Sequence, residues 1–153
     1  MEIAGLVVLT LWCAVLSRID LRERRLPNAL TAPGVAGVLG YGFLQGRAGT
    51  AALGALLLVC PYLLVHLCAP AALGAGDVKL AAGLGAATAL GGAHAWVWAA
   101  LAAPALTAAA SLAPALVQAA RPRDSPLSTI ADRTVPHGPA MCAASLLALV
   151  SAA

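Results

Sequence analysis

Charge is what this chain has least of. Six acidic and nine basic residues among 153 leave charged side chains at 10%, while 61% of the residues are apolar and the mean hydropathy is +0.91. A soluble domain carries roughly 25% charged residues to cover its surface, so this composition excludes a water-exposed fold and predicts a home in a lipid bilayer. Paired C-x-x-C cysteines are missing too. Cys13, Cys60, Cys68 and Cys142 all lie inside apolar runs, which excludes a zinc ribbon or a disulfide framework and reads as four small buried apolar residues. The N-terminus has no basic segment and no small-x-small cleavage pattern, so residues 1–17 are expected to remain as a first helix. Trp12, not a small residue, precedes Cys13, which argues against a lipid-attachment site. No repeat and no soluble domain is evident, and residues 1–153 read as a single membrane-embedded domain.

What is present is a series of apolar runs with short breaks. After the first run, Arg18–Asn28 is polar, and Pro27-Asn28 with Thr31 and Pro33 marks the start of a helix reaching about Leu44. Gln45-Gly46-Arg47 is a turn. Thr50–Ala69 follows, with Pro61 expected to kink it; Pro70–Gly76 is a Gly/Ala loop; the fourth run is Val78 to about Leu90, turned by Gly91-Gly92. The fifth, about His94–Ala119, holds Pro104 and Pro114, and the sixth runs from Ala140 to the end after the polar loop 120–138. The fold class expected is therefore an all-α polytopic membrane protein of about six transmembrane helices. Several runs fall short of the ~20 residues that span ~30 Å of hydrocarbon, so either the helices continue into their polar flanks or the bilayer around them is thin.

Basic residues orient membrane helices. Six spans place 18–28, 70–77 and 120–138 on one side with Arg18, Arg22, Arg24, Arg25, Lys79, Arg121, Arg123 and Arg133, leaving Arg47 alone on the other. That bias predicts three cytoplasmic loops and both termini outside. Asp20 and Asp77 then share the cytoplasmic face.

Asp77 follows a Gly-x-Gly in the stretch Gly74-Ala75-Gly76-Asp77-Val78-Lys79-Leu80. The glycines permit positive φ and close backbone approach, and Asp77 stands where an N-cap belongs; an ordinary capped turn would look the same. Two carboxylates brought together in a poorly solvated place do not both ionise freely, which supplies an acid and a base at once. One activates a water while the other hydrogen-bonds a scissile carbonyl, the chemistry of aspartyl peptide hydrolysis. Ion paths and proton relays use membrane aspartates as well, so a non-enzymatic membrane component, either a transporter subunit or an inactive peptidase-like scaffold, is the alternative. The interiors of all six runs lack acidic and basic residues, and both aspartates are retained, which favours the peptidase.

Asp20-Leu21-Arg22-Glu23-Arg24-Arg25-Leu26-Pro27-Asn28 resembles the D-x5-(I/L)-P-N pattern of type IV prepilin peptidases. Gly74–Leu80 is similar to the G-x-G-D-x-K-L signature of that aspartyl family, and Val135-Pro136-His137-Gly138-Pro139 to the P-x-G-P stretch that opens its last helix. The resemblance implies Asp20 and Asp77 as catalytic residues in two cytoplasmic loops. It implies Gly74, Gly76, Lys79, Pro27, Asn28, Pro136, Gly138 and Pro139 as shaping the site. It further implies cleavage of a short leader from prepilins or pseudopilins at the cytoplasmic face of a bacterial cytoplasmic membrane, with no cofactor, metal or nucleic acid. The chain has no counterpart to the cytoplasmic C-x-x-C domain linked to N-methylation in larger members. It resembles instead the small peptidases of Flp-type (tight-adherence) pilus systems. Where His137 stands, the family commonly has an apolar or aromatic residue.

Other polar residues have plainer readings. Lys79, two residues after Asp77 and so on a different helix face, either serves the site or reaches lipid head groups. Arg22, Arg24 and Arg25 read as a positive-inside anchor with Glu23 as their partner, and Asp124 and Asp132 as solvated loop charges. His94 with Trp96 and Trp98 reads as an interfacial belt, His66 as a core histidine bonded to a neighbouring helix, and Gly34, Gly37, Gly40 and Gly42 as close-packing faces.

Overall fold

The computed structural model describes residues 2–23, 26–70, 73–119 and 137–152. Among the described residues the regular structure is helical throughout, in six helices: α1 (Ile3–Glu23), α2 (Asn28–Leu44), α3 (Ala48–Cys68), α4 (Ala75–Gly91), α5 (Ala93–Ala119) and α6 (Gly138–Ser151). Three of them, α1, α3 and the Ala93–Leu112 part of α5, are long and apolar enough to cross a membrane. The other three are shorter: α2 and α4 have 17 residues each and α6 has 14. At ~1.5 Å per residue those 17 residues reach about 26 Å, just under the hydrocarbon thickness.

The large side chains point outward. Val7, Val8, Leu11 and Val15 on α1, and Leu53, Leu56, Leu57, Leu64 and Leu67 on α3, are exposed. The interior is built from smaller residues, with alanine nearly half of the buried apolar set. Lipid gives no hydrophobic drive for helix association, so contact depends on how closely backbones approach. The α3–α4 crossing shows this: a Cβ on Gly85 would meet the Gly54 carbonyl oxygen at 2.5 Å. Gly83 lies against the Trp12 ring, as does Gly34, and Gly42 lies against Ala51. Gly37 and Gly40 meet nothing within 4 Å, so only half of the α2 glycine face packs as expected.

The central helix is α4, eleven of whose residues from Val78 to Leu90 are buried among α2, α3, α5 and α6. Helix α1 leans on α6, where Cys13 and Cys142 meet in the core. Those two cysteines are buried as expected, but Cys60 and Cys68 are exposed on the outer face of α3. There a polarisable side chain faces the same surroundings as the exposed leucines. His66 is also not a core residue: half-buried, it bonds the Leu73 carbonyl at 2.7 Å in the segment after its own helix. Trp98 donates to exposed His94 at 3.0 Å, in keeping with a belt, whereas Trp96 turns inward to the Gly54 carbonyl at 3.1 Å.

The helices alternate in direction. The end of α1 and the starts of α2, α4 and α6 gather at one end of the bundle. Glu2, Tyr41, Gln45, Arg47 and Leu90 gather at the other, where Arg47 donates to the Leu90 carbonyl at 2.7 Å. Arg47 is thus separated from the arginines of the α1 terminus by the length of the bundle.

Candidate functional site

Asp20 belongs to a helix, not to a loop. Leu9, Cys13, Leu16 and Asp20 are the buried residues of α1, spaced four, three and four apart along one helical face. The apolar run ends at Ser17, but the helix continues through six more residues, because at a membrane boundary long charged side chains reach water from a helix end. The inward stripe therefore carries a carboxylate into the end of the bundle. Asp20 is 7% exposed. Its Oδ2 is buried and has no hydrogen-bond partner among the described residues.

Asp77 lies in the first turn of α4 but is not its N-cap. The helix starts at Ala75, two residues before Asp77. Gly74 is the cap residue, with φ −73° and ψ 150°, and Asp77 reaches back from the third helical position to accept the Gly74 N–H at 3.3 Å. This is half of a capping box; glycine has no side chain to complete it. Among the described residues positive φ occurs at Gly46 and Gly92, not at Gly74 or Gly76. Gly76 instead makes room for a neighbour, since a Cβ there would stand 2.8 Å from the Leu26 Cβ. The segment Leu26-Pro27-Asn28 thereby seats directly on the first turn of α4.

An open cleft of about 490 Å³ forms at this junction, and Asp20, Pro27, Asn28, Gly74, Gly76, Asp77 and Lys79 all line it. The two aspartates are near enough for the charge of one to act on the other. Pro27 caps α2 in extended conformation, and its carbonyl accepts from the buried Thr31 hydroxyl at 3.3 Å. Lys79, exposed, donates to Asn28 Oδ1 at 2.6 Å, so it joins two segments of the cleft wall. Gly138 approaches from α6: a Cβ on it would lie 2.7 Å from Asp20 Oδ2, and its backbone N–H faces the carboxylate without satisfying that oxygen. Pro139 occupies the first turn of α6, where its missing N–H costs nothing. Pro136, Asp124 and Asp132 lie outside the described residues. Among the described residues no three His, Cys, Asp or Glu side chains gather as a metal site.

Three residues beside the cleft were not singled out as part of it from sequence. His137 is the residue before α6, and its ring bonds both Thr107 of α5 and Tyr62 of α3. Burial pushes its pKa below the ordinary histidine value. Tyr62 in turn lies within the influence of the Asp77 charge. A sequence signal for them existed. Ala51, Ala55 and Leu58 are buried on α3, and Ala95, Ala99 and Ala103 on α5; the next inward positions along those stripes are Tyr62 and Thr107.

The arrangement holds two carboxylates from different helices at one end of an apolar bundle, in an open cleft. One carboxylate oxygen, Oδ2 of Asp20, has no partner among the described residues. No curated protein and no solved structure matched the chain. The family pattern described as Type IV leader peptidase family matches residues 7–118, which takes in Asp20, Pro27-Asn28 and the whole of Gly74–Leu80 and stops short of His137. With nearly three quarters of its length covered, the chain belongs to the type IV leader peptidase family.

Proposed function

We propose that this protein is a membrane aspartyl endopeptidase that removes the short leader from a prepilin or pseudopilin at the cytoplasmic face of the membrane, with Asp20 and Asp77 as its catalytic pair. The observation that carries the reading is the shared cleft: the two carboxylates come from helices more than fifty residues apart and line the same opening. The hydrolytic step uses both. The ionised carboxylate takes a proton from a water, whose oxygen bonds to the scissile carbonyl carbon. The protonated carboxyl donates its hydrogen to the carbonyl oxygen. As the tetrahedral intermediate collapses, the C–N bond breaks and the new amine takes a proton from the pair. The charge of Asp20 acts on Asp77, and the parts of acid and base are given to the pair and not to either residue separately. This chemistry has no step that calls for a metal or a cofactor.

The orientation follows from charge. Among the described residues Arg18, Arg22 and Lys79 belong to the helix ends at the cleft and Arg47 to the other end, and in sequence the arginines at 24, 25, 121, 123 and 133 fall in the α1–α2 and α5–α6 connections. The proposal therefore places six crossings, both termini outside, and the cleft facing the cytoplasm. The shorter α2, α4 and α6 fit such a bundle if the bilayer thins around them. Co-expression with a candidate prepilin tests the reading. Leader removal seen as a gel shift, and lost in Asp20→Asn and Asp77→Asn, is expected; an intact prepilin beside well-inserted protein, across the pilin-like partners of its own genome, would overturn it.

A further inference from the structure

We propose that His137 is a positioning residue for Asp20: by tying the start of α6 to Tyr62 on α3 and Thr107 on α5, it holds Gly138 against the Asp20 carboxylate. The proposal rests on the reading of Asp20 as half of the hydrolytic pair.

The imidazole is used at both nitrogens. Thr107 Oγ1 lies 2.6 Å from His137 Nδ1 and the Tyr62 hydroxyl 3.0 Å from Nε2. In a neutral ring one nitrogen donates and the other accepts, and a hydroxyl can take either part, so both tautomers keep both bonds. Both ring nitrogens are satisfied, each by a different helix. The Tyr62 and His137 rings also pack with centroids 5.5 Å apart.

His137 precedes α6 but does not cap it with its side chain. Its backbone carbonyl accepts the Met141 N–H at 3.1 Å and so begins the helix, while the ring is turned aside into the bundle. The next residue is Gly138, buried, whose missing Cβ leaves room for Asp20. An imidazole anchored at two points one residue away sets where that backbone stands. An apolar ring at 137 fills the same space and offers neither bond, so the anchoring is particular to a chain with histidine here. Neither Tyr62 nor Thr107 lines the cleft; Tyr62 also stands within reach of the Asp77 charge, so Thr107 is the anchor that reports on the ring alone.

Two measurements test this, one of them blind to activity. The Cβ of Asp20 lies 3.7 Å from where a Gly138 Cβ would stand, close to the Cβ separation of a disulfide. In a background with Cys13, Cys60, Cys68 and Cys142 replaced by alanine, Asp20→Cys with Gly138→Cys is expected to cross-link under a mild oxidant. Adding His137→Phe is expected to slow cross-linking several-fold. In the native-cysteine enzyme, His137→Phe is expected to lower kcat for leader cleavage about 10- to 100-fold, as small misplacements of reacting groups do, with KM within about twofold. Thr107→Val and Tyr62→Phe each remove one anchor and keep the shape, so each should give part of that loss. They carry the same expectation if His137→Phe does not insert. Cross-linking at an unchanged rate, or kcat unchanged in the inserted anchor variants, would overturn the positioning role while leaving the peptidase reading intact. Normal cross-linking behaviour in a chain that cleaves no prepilin would overturn the reading instead.

Discussion

Lys79 Nζ meets Asn28 Oδ1 at 2.6 Å, across fifty-one residues of chain. The bond joins the third residue after a Gly-x-Gly to the residue after a Leu-Pro, and so closes one wall of the cleft over the α1–α2 connection. The same two segments also meet through Leu26 and Gly76. An exposed lysine at a membrane end has two uses, reaching head groups or making a bond, and here the bond is made.

The first prediction concerns that bond. Lys79→Ala and Asn28→Ala should each lower kcat/KM for leader cleavage by about 3- to 10-fold, the range expected of a charged hydrogen bond discounted for exposure. The double variant should be little worse than either single one. Independent, multiplying losses in kinetics on purified protein would mean that the two side chains act separately, with Lys79 serving lipid or substrate.

Glycine contacts give a second, with its own control. Gly138→Ala drives a methyl to within 2.7 Å of Asp20 Oδ2, and Gly37→Ala adds one where nothing lies within 4 Å. The first should lose about 10- to 100-fold in kcat because a reacting group is displaced, and the second should stay within about twofold. Comparable loss in both, at equal membrane insertion, would show that the crowding at Asp20 is irrelevant to catalysis.

The helices could be read from sequence more readily than the site. Leu44, Gly91 and the Gln45–Arg47 turn fall where the composition breaks, because a turn between apolar runs needs Gly or polar residues whichever way the helices pack. Asp20 was harder. Its charge neighbours Arg18, Arg22 and Glu23 look like a loop, and the helix passes through them only because their side chains reach water from its end. The stripe Leu9, Cys13, Leu16, Asp20 shows the continuation once it is drawn at helical spacing. Asp77 misleads in the opposite way: a Gly-x-Gly-Asp reads as loop plus cap, whereas the helix has already begun and the aspartate reaches back to Gly74. Tyr62, Thr107 and His137 come together from three helices. Each lies on an inward stripe or at a helix start, but the mutual register of α3, α5 and α6 is a property of packing that one sequence does not display.

Topology yields a third prediction. Single cysteines at Arg22 and at Gln45, in a background without the native four, lie at opposite ends of the bundle. The first should react with an impermeant maleimide only after the cytoplasmic face is opened, and the second in intact cells. Labelling of both from one side would contradict an odd number of crossings between them, and labelling with the faces exchanged would move the cleft away from the cytoplasm and end the prepilin reading.

The fourth prediction concerns the aspartates themselves. Asp20→Asn and Asp77→Asn keep size and some hydrogen bonding but remove a titratable group. Their settings differ: Asp20 is 7% exposed with an unpartnered oxygen, while Asp77 is half-buried and holds the Gly74 N–H. An amide at 77 keeps a carbonyl oxygen for Gly74, so the helix start should survive. An amide at 20 places a donor or a neutral acceptor in a site that is already buried, and protein amount should change little there as well. Activity should behave otherwise. If water activation and carbonyl polarisation are shared by the pair, either change removes the unit, and cleavage should fall by at least about 1,000-fold, with the double variant no lower than the singles. Losses that multiply would mean two independent contributions and not a coupled pair. Near-normal cleavage by a well-inserted Asp77→Asn enzyme would sink the aspartyl mechanism outright, and would leave Asp77 with only the role its geometry already displays, that of fastening the first turn of α4 to Gly74.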